Sequence, residues 1–360
     1  MEKILIKLDR QCLSYPIYIG KNLLGNIVGL INLNGYSQVM VLTDNVVAGF
    51  WLKKITRAVG KNAVVAVIKN GEAEKNIDTV RTIWKKMVQS KLDRRSVVVN
   101  LGGGVVCDLG GFCAGTYMRG IDFVNIPTTL LSQVDAGVGG KTGLNFFGIK
   151  NNIGIFNQPK AVLTDVVFLS TLPERELISG MAEVIKHGIV ADKKYFESVV
   201  GKKPVDFSSK ELIEIVKKSC LIKTAIMEKD EKEMLGKRKI LNFGHTVGHA
   251  IESLSQATDR PLLHGEAVGI GMVIESKLAC LSGLLKEKDY LRIKDAIKNA
   301  GLPITTPHIP VKKIIKKILV DKKNQSGRVL WSLPTAIGQV ECNKEILSVN
   351  KMVKIAYENN

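Results

Sequence analysis

The sequence is poor in several residue classes, and each shortage excludes something. Aromatic residues make up only 6% of the 360 residues, too few for a surface that stacks nucleic-acid bases on rings, and no reading helix accompanies them. No CxxC pair occurs: Cys12, Cys107, Cys113, Cys220, Cys280 and Cys342 stand far apart. That scatter predicts reduced, mostly buried thiols rather than a disulfide frame or a zinc finger. No apolar run approaches the roughly 18 to 20 residues needed to cross a bilayer. The opening MEKILIKLDR places Glu2, Lys3 and Lys7 where a signal-peptide core would lie, so a soluble, cytoplasmic protein is expected. Acidic residues are also scarce, 34 against 52 Lys plus Arg, for a net charge of +18. Such an excess attracts polyanions without specificity and raises the question of which one is bound.

What is present is ordinary globular composition, 45% hydrophobic and 24% charged, at a length that favours two domains. The first half alternates short apolar runs with turns and helical patterns. Runs at Gln38–Thr43, Ala63–Ile68, Ser96–Leu101 and Ile121–Ile126 read as buried strands. Ile77, Val80, Ile83, Met87 and Val88 fall on one helical face between two of them. Strands alternating with helices predict a Rossmann-like parallel sheet covered on both faces, with its ligand at the strands' carboxyl ends. After Pro173 the patterns become long and helical, near 174–190, 208–231, 239–256, 265–283, 287–300 and 311–320. The expectation is an α/β domain over 1–170 followed by an all-α helical domain over 171–360. The last helical pattern interleaves Ile314, Ile315 and Ile318 with Lys312, Lys313, Lys316 and Lys317. It reads as one core face and one solvated face rather than a membrane-surface helix.

Three predicted strand ends carry polar or glycine-rich tips: Thr43-Asp44, Asn70-Gly71-Glu72 and Gly102-Gly103-Gly104. Glycines between a strand and a helix let backbone N–H groups approach phosphates, and a dinucleotide across these tips is the favoured reading. The GxGxxG fingerprint itself fails, because Cys107 stands at its third glycine. Gly140-Lys141-Thr142 imitates the end of a Walker loop, but Asp135 occupies the position of that motif's first glycine. An NTPase is rejected. The segment still gathers Asp135, Lys141, Lys150 and Asn151 on what read as loops, suiting a polar small-molecule site.

Histidine placement is the sharpest signal. Three of the five histidines, His245, His249 and His264, fall within twenty residues. His245 and His249 share a helical face at i and i+4, as in zinc-binding helices, although no glutamate follows the first to make HExxH. Glu183 offers a carboxylate from the first helix of this half. Two histidines and a glutamate leave a metal with open positions, which is a catalytic arrangement.

In this order, GGGVVCDLGGF, MRG, PTTLL, DAGVGGKTGLN, GIKNNIG, TLPERE, GMAEVIKHG, LNFGHTVGHAIE and LHGEAV resemble the 3-dehydroquinate synthase family of the shikimate pathway, across most of the chain from Asp44 to Gly338. The resemblance implies a homodimer with an NAD-binding α/β domain, a helical domain, and a Zn2+ or Co2+ site in the cleft between them. It implies Glu183, His245 and His264 as metal ligands and moves His249 to proton transfer near the substrate. NAD contacts map to Asp44, Asn70, Gly71, Glu72, Lys75, Gly103, Gly104, Val105, Val106, Asp108, Thr128, Thr129, Lys141, Lys150 and the turn Phe168, Leu169, Ser170, Thr171. Substrate contacts map to Arg119, Asp135, Lys141, Lys150, Asn151, Lys186, Lys223, Arg238, Asn242, His249 and one of Lys322 and Lys323. Catalytic roles fall on His249, Asp135, Lys141, Lys186 and Glu233. One departure stands out: Glu233-Met234-Leu235-Gly236-Lys237-Arg238 is one residue longer than the family's Glu-x-Gly-Leu-Arg, which could turn Glu233 away.

The family reaction takes 3-deoxy-arabino-heptulosonate 7-phosphate to 3-dehydroquinate and phosphate by oxidation, phosphate elimination, re-reduction and aldol closure. Two rivals share the chemistry or the fold: a cyclase making a valiolone or an inosose, and a metal-dependent polyol dehydrogenase. The positive charge then divides into cations converging on a sugar phosphate and a solvated remainder, with neither nucleic acid nor membrane as partner.

Overall fold

A computed structural model describes residues 1–6, 14–60, 62–231, 233–306, 309–319 and 328–358. Lys322 and Lys323 lie outside the described residues. The chain forms two compact units, Met1–Pro173 with Ser209–Thr224, and Glu174–Ser208 with Ala225–Asn360.

The first unit is built on strands β1 (Glu2–Ile6), β2 (Tyr15–Gly20), β3 (Val39–Asp44), β4 (Val64–Ile68), β5 (Val97–Gly102), β6 (Asp122–Pro127) and, beyond a separate hairpin of β7 (Lys141–Phe146) and β8 (Ile149–Phe156), β9 (Ala161–Asp165). Their order in the sheet is β1-β2-β9-β6-β5-β3-β4. All neighbours run parallel except the edge pair β1–β2. Strand side chains alternate between two apolar layers. Val97, Val99 and Leu101 of β5 join Trp51 and Phe168 on one face, while Val98 joins Phe112 and Phe123 on the other. Helices α1 (Ile27–Ile31), α2 (Asn45–Val59), α3 (Ile77–Gln89) and α4 (Gly104–Thr116) cover these faces. The parallel sheet expected from the apolar runs is therefore present, doubly wound.

Helix α4 lies unusually close to the sheet because its inner face is glycine. A Cβ on Gly110 would sit 1.8 Å from Asn100 Oδ1, and one on Gly111 would sit 2.4 Å from Thr142 Cγ2. Beneath it, Asn100 Nδ2 donates to Asn125 Oδ1 at 2.9 Å, and Asn125 Nδ2 donates to Gly137 O at 3.0 Å. A buried amide ladder thus ties the sheet to the segment that carries Asp135.

The second unit holds α5 (Glu174–Ala191), α6 (Lys193–Val199), the end of α7 (Ser209–Met227), α8 (His245–Ser255), α9 (His264–Leu281), α10 (Glu287–Asn299), α11 (Val311–Leu319) and α12 (Val349–Glu358). It also carries a hairpin of β10 (Trp331–Ala336) and β11 (Gln339–Lys344), which periodicity did not suggest. The pattern near 239–256 is not one helix. A 3₁₀ turn over Lys237–Asn242 breaks at Phe243 and Gly244, where Gly244 takes φ 80°, and α8 starts at His245. Helices α8 and α9 touch backbone to backbone: a Cβ on Gly271 would lie 2.0 Å from Gly244 O. On α11, Ile314 and Ile318 are buried while Lys312, Lys313, Lys316 and Lys317 are exposed, the two-faced arrangement expected. No helix among the described residues is long and apolar enough to cross a membrane.

Candidate active site

In the first unit the carboxyl ends of the strands gather the polar tips. Asp44 ends β3 and caps α2, its Oδ1 accepting from the N–H groups of Val46 and Val47 at 2.9 Å. Gly71, with φ 116°, turns the chain after β4 into a short 3₁₀ segment, Glu72–Glu74. Gly103 caps α4 between them, and a Cβ there would meet Thr129 Cγ2 at 3.1 Å. This is a cradle that any side chain would fill. The strand order reverses between β3 and β5, the position where doubly wound sheets open a crevice.

The charged groups at these tips are paired. Lys75, buried, contacts Asp108 Oδ2 and Asn151 Oδ1. Burial pushes the Asp108 carboxyl above its ordinary range, and the Lys75 ammonium pulls against that shift. Lys150 lies 3.6 Å from Glu72 Oε1, to which Asn145 Nδ2 also donates at 2.8 Å. Lys223, from the α7 segment of this unit, donates to Asp135 O at 2.6 Å and pairs with its carboxylate.

One expectation changes here. Lys141, Lys150 and Asn151 are not on loops: Lys141 begins β7 and the other two lie in β8, because Gly143, one of the glycines that suggested a loop, lets the two strands approach. Phe168 is buried with its ring edge-on to Trp51 at 4.8 Å. Its side chain belongs to the core, so Leu169, Ser170 and Thr171 surround a core anchor. Arg119 is exposed in a 3₁₀ turn just before β6, at the amino-terminal end of that strand. The structure does not bring it to the tips.

In the second unit Glu183, His245 and His264 offer one donor atom each, all within 4.8 Å of one another. His245 Nε2 is 3.6 Å and His264 Nε2 3.9 Å from Glu183 Oε1. The opposite ring nitrogens are engaged: His245 Nδ1 meets Phe243 O at 3.1 Å, and His264 Nδ1 meets Glu252 Oε2 at 3.3 Å. An oxygen that only accepts places the hydrogen on Nδ1, so in each neutral ring Nε2 is the acceptor turned toward Glu183. Glu183 is fully buried, and neither of its oxygens accepts a hydrogen bond of good geometry, although Lys186 pairs with Oε2. Two imidazole acceptors facing an under-satisfied carboxylate fit a divalent cation.

His249, Glu252 and His264 form a second, overlapping group with that spacing, and the His249 ring lies 5.0 Å from that of His245. Arg238 is buried, with Nη1 donating to Glu231 O at 3.0 Å and Nε 3.5 Å from Glu233 Oε1. In this lengthened segment Glu233 (φ 57°) and Gly236 (φ 76°) take left-handed conformations, and Glu233 faces Arg238. Asn242 closes the 3₁₀ turn two residues before Gly244.

Against known proteins, residues 65–179 match the model of the 3-dehydroquinate synthase N-terminal domain and residues 180–324 that of its C-terminal domain. The chain belongs to the 3-dehydroquinate synthase family. It is 42% identical to a 3-dehydroquinate synthase of Ruminiclostridium cellulolyticum over 95% of both chains. To that of a Thermoanaerobacter species it is 42% identical, covering 96% of this chain and 99% of the relative. Among solved structures, a 2-deoxy-scyllo-inosose synthase complexed with carbaglucose-6-phosphate, NAD+ and Co2+ matches all of both chains with a TM-score of 0.87 at 23% identity. The 2-epi-5-epi-valiolone synthase of Streptomyces hygroscopicus with NAD+ and Zn2+ matches 96% of both chains with a TM-score of 0.85 at 26% identity.

Within this member of the 3-dehydroquinate synthase family, sequence reasoning missed Glu252 and Glu275. Glu252 lies at i+3 from His249, which was a usable signal. Glu275 is fully buried and accepts from Gly244 N at 2.7 Å and Val247 N at 2.9 Å. Nothing in its spacing announces that contact.

Proposed function

We propose that the chain is an NAD- and metal-dependent carbon–oxygen lyase that converts 3-deoxy-D-arabino-heptulosonate 7-phosphate to 3-dehydroquinate and phosphate, in the biosynthesis of chorismate and the aromatic amino acids. The family match across both units carries this reading, and the donor tripod of Glu183, His245 and His264 gives it a chemical seat. Those three residues would hold Zn2+ or Co2+, which when bound supplies a Lewis acid for hydroxyl and carbonyl oxygens. NAD, when bound, supplies a reversible hydride acceptor. Asp44, the Asn70–Glu72 turn, Lys75, Gly103–Val106, Asp108 and Thr128–Thr129 would hold it, since backbone N–H groups at the start of α4 suit a pyrophosphate.

The remaining work falls to side chains that bind, orient and move protons. Arg238 is planar and held by Glu231 O and Glu233, so it presents a fixed fork to a carboxylate or phosphate. Lys141, Lys186 and Lys223 add cations for developing oxyanions, with Lys150 and Asn151 beside them. His249, with Glu252 one turn away, holds or passes a proton at its imidazole, and Asp135 does so beside Lys223. Because the substrate phosphate can itself accept the proton lost in elimination, much of the catalysis is positioning. As part of the same reading the working form is a cytoplasmic homodimer, which light scattering of the purified protein would register.

One experiment separates the rivals. Purified protein with the heptulosonate phosphate and catalytic NAD should release phosphate in many-fold excess over NAD, with no net NADH. Stoichiometric NADH without phosphate would establish a polyol dehydrogenase instead. Turnover only of a hexose phosphate would establish an inosose-type cyclase.

A further inference from the structure

Helices α8 and α9 each begin on a candidate metal donor, His245 and His264, so the placement of each donor depends on how its helix start is held. The start of α9 is held locally. Glu266 Oε2 accepts from Leu263 N at 2.8 Å, and Arg175 clamps the same carboxylate with two contacts of 2.7 Å. The start of α8 has no local cap, because its N-cap is Gly244. Its first-turn N–H groups are instead taken by Glu275, on α9 eleven residues beyond His264. Oε2 accepts from Gly244 at 2.7 Å and Oε1 from Val247 at 2.9 Å.

A buried carboxylate is an expensive way to cap a helix when a serine at the N-cap would serve. What it adds is registration. The helix that supplies one imidazole grips the first turn of the helix that supplies the other. The residue before that turn, Phe243, accepts the Nδ1 hydrogen bond of His245 at 3.1 Å. We infer that Glu275 is a positioning residue for the metal site, fixing His245 Nε2 relative to His264 Nε2 through the Phe243–Val247 turn. This inference rests on the metal reading above.

The test uses the full-length protein and its Glu275→Ala and Glu275→Gln variants, each stripped of metal. Amide exchange in the metal-free state should show lost protection at Gly244 and Val247 in Glu275→Ala, with Glu275→Gln intermediate, since its single carbonyl replaces one of two acceptors. Zn2+ affinity by chelator competition should weaken about ten- to a hundredfold in Glu275→Ala, and the visible bands of the Co2+-loaded protein should shift. Val353→Ala, in the core at α12, should lower the melting temperature while leaving metal affinity and Co2+ bands unchanged. Unchanged protection in both Glu275 variants overturns the clamp. Parent-like metal affinity and bands with protection lost overturn the step from clamp to ligand geometry. A parent protein that binds no metal overturns the metal reading and this inference with it.

Discussion

His264 turns Nε2 toward Glu183 because Glu252 occupies Nδ1 at 3.3 Å. A glutamine there could donate as well as accept, so it would no longer dictate which ring nitrogen carries the hydrogen. Glu252→Gln is therefore expected to bind Zn2+ about tenfold more weakly with its circular dichroism intact. His264→Ala should lose metal and activity while folding; retained zinc stoichiometry would refute the ligand assignment. A second residue-scale prediction concerns Asp230, which holds the lengthened segment ahead of Arg238. Its carboxylate accepts from Leu235 N at 2.9 Å and Arg238 N at 3.3 Å. Burial raises its pKa, but the backbone donors Leu235, Arg238, Lys237 and Met234 outweigh burial and leave it below 3.8. A carboxyl lowered in the folded state stabilises above its ordinary pKa and ceases to do so as pH falls through the folded value. Asp230→Asn should thus be less stable than the parent at neutral pH, and the gap should narrow as pH falls below the ordinary aspartate range, read by urea unfolding at neutral and at acid pH. A gap independent of pH would show that charge is not what holds the segment.

At the scale of elements, α4 sits where it does because glycine faces the sheet. Gly110→Ala should cost about 1–3 kcal/mol by overpacking against Asn100, and the cost should shrink in an Asn100→Ala background, since the two sites share one contact. Equal costs in both backgrounds would place the strain elsewhere. Much of this unit was legible beforehand. The runs now seen as β3, β5 and β6 are continuous and apolar because both faces are covered, and the glycines after β5 mark a strand-to-helix turn whatever they bind. The β7–β8 hairpin was not legible. Its residues alternate, but Gly139, Gly140 and Gly143 read as loop, and only cross-strand pairing shows that Gly143 lets the two strand backbones approach. The break before α8 was hidden for a related reason: Gly244 is a poor helix signal by itself, and its φ of 80° follows from contact with α9. The donors on helices were visible as histidines, whereas the acceptors that orient them, Phe243 O and Glu252, depend on how the chain folds back.

For the whole molecule, the excess of 18 positive charges divides by burial. Lys75, Lys186, Lys223 and Arg238 are buried, and each is paired with a carboxylate; desolvated charges of this kind act strongly because water does not screen them. The lysines of α11 are exposed, where a Debye length of about 8 Å at physiological salt confines their reach. Composition alone cannot separate these populations, and they predict different behaviour. Reversing the exposed set, Lys312, Lys313, Lys316 and Lys317 to Glu, should change kcat/KM for the sugar phosphate by less than about threefold at 0.15 M salt, with a shallower salt dependence. Arg238→Ala removes one guanidinium and should lower kcat/KM about tenfold to a hundredfold, the loss of a charged hydrogen bond, while NAD affinity stays near the parent value. Equal loss of NAD and substrate binding in Arg238→Ala would make it structural. Tight binding of duplex DNA at physiological salt, abolished by the α11 reversal, would mean that the exposed charge serves a polyanion after all. The distribution argues otherwise, because of the cations withdrawn from water the proposed function assigns Lys186, Lys223 and Arg238 to the sugar phosphate and Lys75 to NAD.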